Sequence, residues 1–485
     1  MSGHANATDK PAKSPNIIFV FADQMRAHAL GCYGNTSVPT PNLAAMASAG
    51  MTFDQAISTC PVCSPYRAML LTGRHPMANG TVSNDVGMRG DLPTVASACK
   101  TAGYKTGYIG KWHLEWHRDP FVPPERRMGF DDWAVNNCTH QYRDHFYCTD
   151  TPEPVRFTGY DAVVQTDLAI DYIARNRETP FCLFLSWGPP HGPYNNVPQT
   201  YKDRVPLETI ALRKNVDERA VVDGLLARDN PSDDVRERRH TRRAILEDDA
   251  RLVQDKIHGY YAHTVALDDC IGRLRSALRA QGLSENTMLV FSSDHGDMLG
   301  SHRMSLKQTP FEESIRVPFI MEYPGVVPAG SRSDALLAPV DIMPTLLSLA
   351  GVPCPAVDGK DLADAARGLA SDAQDAVLIT KMAGGESGGP YVDNAITPWH
   401  GVRTRRYTYV HLHGYGPWLL YDNERDPYQL ENLVEVPACA ELAAALEKRM
   451  RELMVEAGHP GDPQKVAQFM ESRRPDLAPA PGTLG

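Results

Sequence analysis

The sequence has no apolar run long enough to cross a bilayer: stretches such as Ile17 to Ala22 fall far short of the roughly 20 residues a membrane helix needs. Met1 to Pro15 are small and polar and lack the apolar stretch of a secretory signal, so a flexible N-terminal tail on a cytoplasmic protein is expected. Positive charge is not in excess either. Against 59 Asp and Glu there are 49 Lys and Arg, a net charge of −10, which removes the electrostatic case for nucleic acid as a partner. An anionic ligand would need a local basic pocket. The ten cysteines are scattered, not dense as in a disulfide framework, and are expected to be reduced. Only one C-x-x-C occurs, Cys60-Pro61-Val62-Cys63. Without a second pair at matching spacing, zinc and thioredoxin-like chemistry lack the ligands or the setting they require. There is no internal repeat.

An apolar content of 42% over 485 residues supplies one large core and a smaller unit. Asn16 to Asp23 is a continuous apolar run of strand length, as expected for a strand buried on both faces of a parallel sheet. Similar runs recur at Thr106 to Gly110, Phe181 to Trp187 and Met288 to Ser292, separated by helical periodicity such as Asp161 to Arg175. The alternation predicts an α/β fold: a large mixed, mostly parallel sheet flanked by helices. Each of the four runs leads into polar residues: Asp23-Gln24, Lys111-Trp112-His113, Pro190-His191 and Asp294-His295-Gly296-Asp297. Ligands of open α/β sheets bind beyond the carboxyl ends of the strands, so four distant clusters are expected on one edge.

Glu208 to Asp255 mixes Arg with Asp and Glu and predicts a charged helical insertion. Beyond it, Ala376 to Lys381, Gly401 to His413 and Trp418 to Tyr421 look like short strands of an antiparallel sheet. Ala438 to Glu456 has helical spacing, and a Pro-rich tail closes the chain. The expected division is a tail over 1–15, a catalytic α/β domain over 16–375 with its insertion at 208–255, and a smaller α+β subdomain over 376–485.

The densest motif is Cys63-Ser64-Pro65-Tyr66-Arg67-Ala68, followed by Leu70-Leu71-Thr72-Gly73-Arg74. It reads C-x-P-x-R with a trailing L-T-G-R and resembles the segment of type I sulfatases, in the alkaline phosphatase superfamily, where a cysteine is oxidised to Cα-formylglycine. The resemblance runs from Asn16 to about Leu433, through Asp23-Gln24, Gly110-Lys111-Trp112-His113, Pro190-His191, Asp294 to Asp297, Lys307 and Leu420-Tyr421-Asp422 to Asp426-Pro427, in that family's order. It implies an alkaline phosphatase-like fold and hydrolysis of a sulfate monoester. The nucleophile would be one hydroxyl of the hydrated aldehyde made from Cys63, and loss of the proton from the second hydroxyl would expel sulfate.

Cleaving a sulfate ester puts charge on the leaving oxygen and on the nonbridging oxygens, so the site needs a cation, positive donors and a proton source. Asp23, Gln24, Asp294, His295 and the oxygen derived from Cys63 are the metal-ligand candidates. A set rich in carboxylate and amide oxygen favours a hard ion, Ca²⁺ first, with Mg²⁺ or Mn²⁺ as alternatives. Cys63 precedes a helical stretch, Tyr66 to Leu71, whose amides would face an anion. By resemblance Arg67 contacts the formylglycine, Lys111 bridges it to the sulfate, and His113 takes the proton of the second hydroxyl. Lys111 and His113 alternate as strand neighbours facing one side do. His191 and Lys307 would neutralise the leaving oxygen, one of them as general acid. Asn84 is a further candidate for touching substrate; His75, His117 and His302 are lesser ones. The aromatics Tyr142, Phe146, Tyr147 and Trp399 could stack on a sugar or aryl group or simply pack.

Two features depart from the sulfatase pattern: Tyr66, where a small residue is usual, and Gln24 with His295, where Asp and Asn are common. Asp23-Gln24 with Asp294-His295 is also similar to phosphonate monoester hydrolases and related phosphodiesterases, which gives the alternative activity. If Cys63 is not oxidised, the chain would be a catalytically silent metal-binding homologue. The expected partners are a small anionic ester and a formylglycine-generating enzyme, with no nucleic acid and no membrane; homo-oligomerisation is left open.

Overall fold

A computed structural model describes residues 14–84, 86–116, 119–216, 249–302, 304–371, 373–383 and 397–477. Most of the expected tail, the 217–248 part of the charged insertion, His117, the 384–396 loop and the last eight residues lie outside the described residues.

The strands are β1 (Asn16–Asp23), β2 (Met51–Ala56), β3 (Lys105–Lys111), β4 (Asp132–Asn136), a short ribbon of β5 (Phe146–Tyr147) and β6 (Val155–Arg156), β7 (Phe181–Pro190), β8 (Thr287–Ser293), β9 (Phe319–Glu322) and β10 (Ser331–Leu337). Apart from the ribbon they form one eight-stranded sheet in the order β10-β2-β9-β8-β1-β7-β3-β4. All pairs are parallel except those of β9 with β2 and β8. The sheet is therefore mixed and mostly parallel, as expected.

The principal helices of the large unit are α1 (Pro41–Ala49), α2 (Cys63–Thr72), α3 (Val95–Thr101), α4 (Asp161–Asn176), α5 (Asp249–Ala280) and α6 (Pro339–Ala350). Alternation along β1 shows why its run is apolar throughout. Ile17, Phe19 and Phe21 enter the core formed with α2, α3 and α6, whereas Ile18, Val20 and Ala22 enter the core formed with α1, α4 and α5.

The C-terminal strands β11 (Ala376–Lys381), β12 (Trp399–Thr404), β13 (Tyr407–Leu412) and β14 (Gly416–Asp422) form an antiparallel sheet in chain order. The stretch expected as Gly401 to His413 is the β12–β13 hairpin. Thr404 makes its turn by accepting at Oγ1 from the amides of Arg406 (3.3 Å) and Tyr407 (2.8 Å). One face of this sheet packs α7 (Ala440–Glu456), and the other packs Ile57, Val62, Met69, Phe311 and Ile315 of the large unit. The expected Pro-rich tail is corrected in part: α8 (Pro463–Leu477) is a helix whose Val466, Phe469 and Met470 pack with Met77, Val82 and Met382. Pro463 at its first position costs nothing, because that amide has no intrahelical partner.

Candidate active site

β8, β1, β7 and β3 are consecutive parallel neighbours, so their carboxyl ends share one edge. Asp23 ends β1, Lys111 ends β3, His191 follows β7, and Asp294 and His295 follow β8. The turns at this edge are tight. Gly110 has φ 104° and a Cβ there would lie 2.0 Å from the Ser186 carbonyl oxygen; at Gly296 it would lie 1.9 Å from that of Glu313. Only glycine permits these approaches.

Helix α2 enters under the edge with all ten of its residues buried. It begins at Cys63, three residues earlier than expected, because Pro65 in the first turn needs no intrahelical amide bond. Ser64 fixes this end by donating its hydroxyl to the His113 carbonyl (2.6 Å) and its amide to Asn84 Oδ1 (3.0 Å). That Asn84 oxygen therefore caps the helix.

Cys63 Sγ is the centre of the cluster. Lys307 Nζ lies 2.9 Å from it, His295 Nε2 3.3 Å, Asp23 Oδ1 3.8 Å and Lys111 Nζ 4.0 Å. Lys111 also bridges to Asp23 Oδ2 at 2.6 Å. Arg67 binds Asp23 (3.3 Å) and Asp294 (3.2 Å) through Nη2, and the Lys111 carbonyl and Ser186 Oγ (both 2.7 Å) through Nη1. The His113 side chain is buried and faces Cys63 and Cys138, while its Nδ1 has no hydrogen-bond partner. It does not reach the site by strand alternation, as expected from its spacing: β3 stops at Lys111, and His113 is turned in by a left-handed backbone with φ 57°. His191 donates from Nδ1 to the Gly192 carbonyl (2.8 Å) and stacks on His140 with ring centroids 4.2 Å apart.

Burial alone would raise Asp23, but Lys111, His191, Lys307 and Arg67 hold it well below the usual carboxylate range. Asp294 is raised by burial and by the charge of Asp23. Burial and Asp23 oppose ionisation of Cys63, yet Lys111, Lys307 and His295 bring its thiol well below the ordinary value. Burial and Lys307 drive His191 well below 6.5, so its imidazole is neutral at pH 7. His113 is raised: burial and Lys111 lower it, and the neighbouring Cys138 and Cys63 outweigh them.

One ligand atom each from Asp23, Cys63, Asp294 and His295 falls within 4.8 Å of the others, and all four residues are buried. Beside them the buried Gln24 Oε1 has no hydrogen-bond partner. Two buried carboxylates, an imidazole and an orphaned amide oxygen fit a hard divalent cation.

The structure thus gathers Asp23, Gln24, Cys63, Arg67, Lys111, His113, Asp294, His295 and Lys307 in one cluster, with His191 and Asn84 at its border. His75 and His302 lie elsewhere: the His75 amide is bound to Asp358, and the His302 ring stacks on Phe311. Tyr142 and Trp399 are buried and spend their polar atoms on the carbonyls of Gly188 and Gln308, so they pack. Phe146 and Tyr147 are half-buried in the ribbon. Sequence reasoning missed Cys138, His140, Ser186 and Tyr194, and gave Asp297 no role. For Asp297 alone a signal existed, its place in Asp294-His295-Gly296-Asp297.

The Sulfatase family model matches residues 15–352, and the model for the C-terminal part of N-sulphoglucosamine sulphohydrolase matches residues 300–456. An ulvan-active sulfatase of Formosa agariphila is 35% identical over 93% of this chain and 83% of its own length. A protein solved with its substrate D-glucosamine-2-N,6-O-disulfate superposes with a TM-score of 0.79 at 25% identity, covering 93% of this chain and 100% of that one. The phosphonate monoester hydrolase of Agrobacterium radiobacter shares the fold, with a TM-score of 0.70 at 22% identity over 91% of this chain and 96% of that one.

Proposed function

The chain belongs to the sulfatase family, and from that premise we propose that it hydrolyses a sulfate monoester on a carbohydrate, using a formylglycine derived from Cys63 and a divalent cation. The observation that carries this reading is the convergence of Lys307, His295, Asp23 and Lys111 on Cys63 Sγ, which stands where the reacting oxygens of the converted residue would be. The carbohydrate is suggested by the relatives, one named for activity on ulvan and one bound to a sulfated glucosamine.

Asp23, Gln24, Asp294 and His295 would hold the cation, Ca²⁺ in the first instance, whose chemistry is to polarise a sulfate oxygen and sharpen the nucleophile. Lys111 and Lys307 flank the reacting centre and place fixed positive charge where the sulfuryl oxygens gain negative charge. Arg67 is consumed by Asp23 and Asp294, so it holds the two carboxylates in register. His113 is placed to take a proton from the residue at position 63. His191 is neutral with its Nδ1 hydrogen committed to Gly192, so Nε2 must be protonated before it can serve as acid. Lys307 Nζ, 2.9 Å from Cys63 Sγ, stands at the reacting centre and is the better-placed candidate for protonating the leaving oxygen.

The test is sulfate release by protein co-expressed with a formylglycine-generating enzyme, assayed on 6-O-sulfated N-acetylglucosamine and an aryl sulfate beside an aryl phosphonate monoester. Sulfate release in preference to phosphonate cleavage is expected; the reverse order would replace this reading with phosphonate hydrolysis, and an unmodified thiol at Cys63 in protein from its host would indicate a silent homologue.

A further inference from the structure

Gln24 is the only carboxamide proposed for the cation site, and it can be turned either way round. With oxygen forward it is a ligand; with nitrogen forward it repels a cation. The structure contains a device that settles the choice. Gln24 Nε2 donates to Asp297 Oδ2 at 2.7 Å and to the Tyr194 hydroxyl at 3.3 Å, so both of its hydrogens have an acceptor. Tyr194 in turn donates its own hydrogen to Asp297 Oδ2, which leaves a lone pair toward Gln24. The other oxygen, Asp297 Oδ1, accepts from the amides of Leu299 and Leu306, each at 3.0 Å. Asp297 is fully buried and thus surrounded by four donors. Turning the Gln24 amide over would set its oxygen against a carboxylate and a hydroxyl lone pair. The position left to Oε1 is the one where it is buried and has no partner. Meanwhile the Gln24 backbone, at φ 71°, donates its amide to Asp294 Oδ1 at 2.9 Å, tying the same residue to a proposed ligand.

We infer that Tyr194 and Asp297 are positioning residues that fix the Gln24 carboxamide with its oxygen toward the cation. The inference rests on the cation site proposed above. It explains how a chain with glutamine at this position keeps a directed ligand where a carboxylate would need no orienting.

The experiment is calorimetric titration of Ca²⁺ into chelator-stripped full-length protein, in which no turnover is involved. Asp297→Asn offers Gln24 an amide instead of a carboxylate, permits the flip, and is expected to raise Kd by about tenfold or more. In a Gln24→Glu background this penalty disappears, because a carboxylate at 24 is symmetric and is repelled by Asp297. There Asp297→Asn leaves Kd unchanged or lowers it. Tyr194→Phe removes the second acceptor, keeps every backbone bond to Asp297 and raises Kd by about threefold; this variant decides the matter if Asp297→Asn fails to melt cooperatively in chelator. Equal shifts from Asp297→Asn in the two backgrounds, or a Kd within twofold of wild type in Tyr194→Phe, would overturn the inference. Failure of the unsubstituted protein to bind Ca²⁺, Mg²⁺ or Mn²⁺ would instead remove the cation site beneath it.

Discussion

Lys111 Nζ lies 2.6 Å from Asp23 Oδ2, and both side chains are buried. Neither charge tolerates that environment alone, so removing one partner exposes the cost of the other. Lys111→Met is expected to lower stability by about 3 kcal/mol in chelator, the low end for a broken buried pair because Arg67 still faces Asp23. Added Ca²⁺ should recover part of the loss. Chemical denaturation with and without the ion checks both statements; an unchanged midpoint in chelator would refute the first.

Cys63→Ala removes the precursor of the nucleophile and leaves a small apolar side chain at the start of a buried helix. Sulfate release should drop to background while the melting temperature stays close to wild type. Activity near wild type would mean that another residue attacks.

Because His113 must be neutral to accept a proton, kcat/KM of the converted enzyme should rise with pH as this imidazole loses its proton. Cys138 is one of the groups that raise it, so Cys138→Ala should move this acidic limb to lower pH. The sign follows from the partners: with Cys138 gone, burial and Lys111, which disfavour imidazolium, are less opposed. A limb that stays in place on substitution would separate His113 from the titration.

Burial opposes ionisation of the Cys138 thiol, but Lys111 and His113 bring it down to about 7. Near neutrality roughly half of it is thiolate. Iodoacetamide at pH 7.5 should therefore modify Cys138 ahead of the exposed Cys354, whose thiol burial pushes up. Peptide mass mapping over time gives the order, and the modified protein should lose activity because the adduct abuts His113.

Gly296→Ala would drive a methyl group into the Glu313 carbonyl, 1.9 Å away, between two proposed cation ligands and Asp297. A loss of about 2–3 kcal/mol is expected from such overpacking. Denaturation of the apo protein measures it.

The four strand ends were legible because a run buried on both faces must be apolar throughout, so the first polar residue after it marks the sheet edge. Nothing local marks Tyr194, which sits 170 residues from Gln24 and meets it only once β7 and β1 are paired. The β12–β13 turn was missed because Arg405 and Arg406 carry no glycine or proline signal, the turn being made by the Thr404 hydroxyl. Helix α8 escaped notice because its apolar stripe is short and prolines stand at both Pro463 and Pro475. His113 joins the cluster through a left-handed turn and not by the strand alternation its spacing suggested.

All ten residues of α2 are buried, and Cys63 itself is 1% exposed. If Cys63 is converted by another enzyme, that enzyme must reach a side chain that the finished fold keeps out of contact with solvent. Maturation then has a deadline set by folding: a molecule that closes α2 beneath the sheet edge with its thiol intact is locked out of conversion. Active fraction would become a matter of timing between two processes, and slowing the collapse of this region would raise it without altering a single atom of the site.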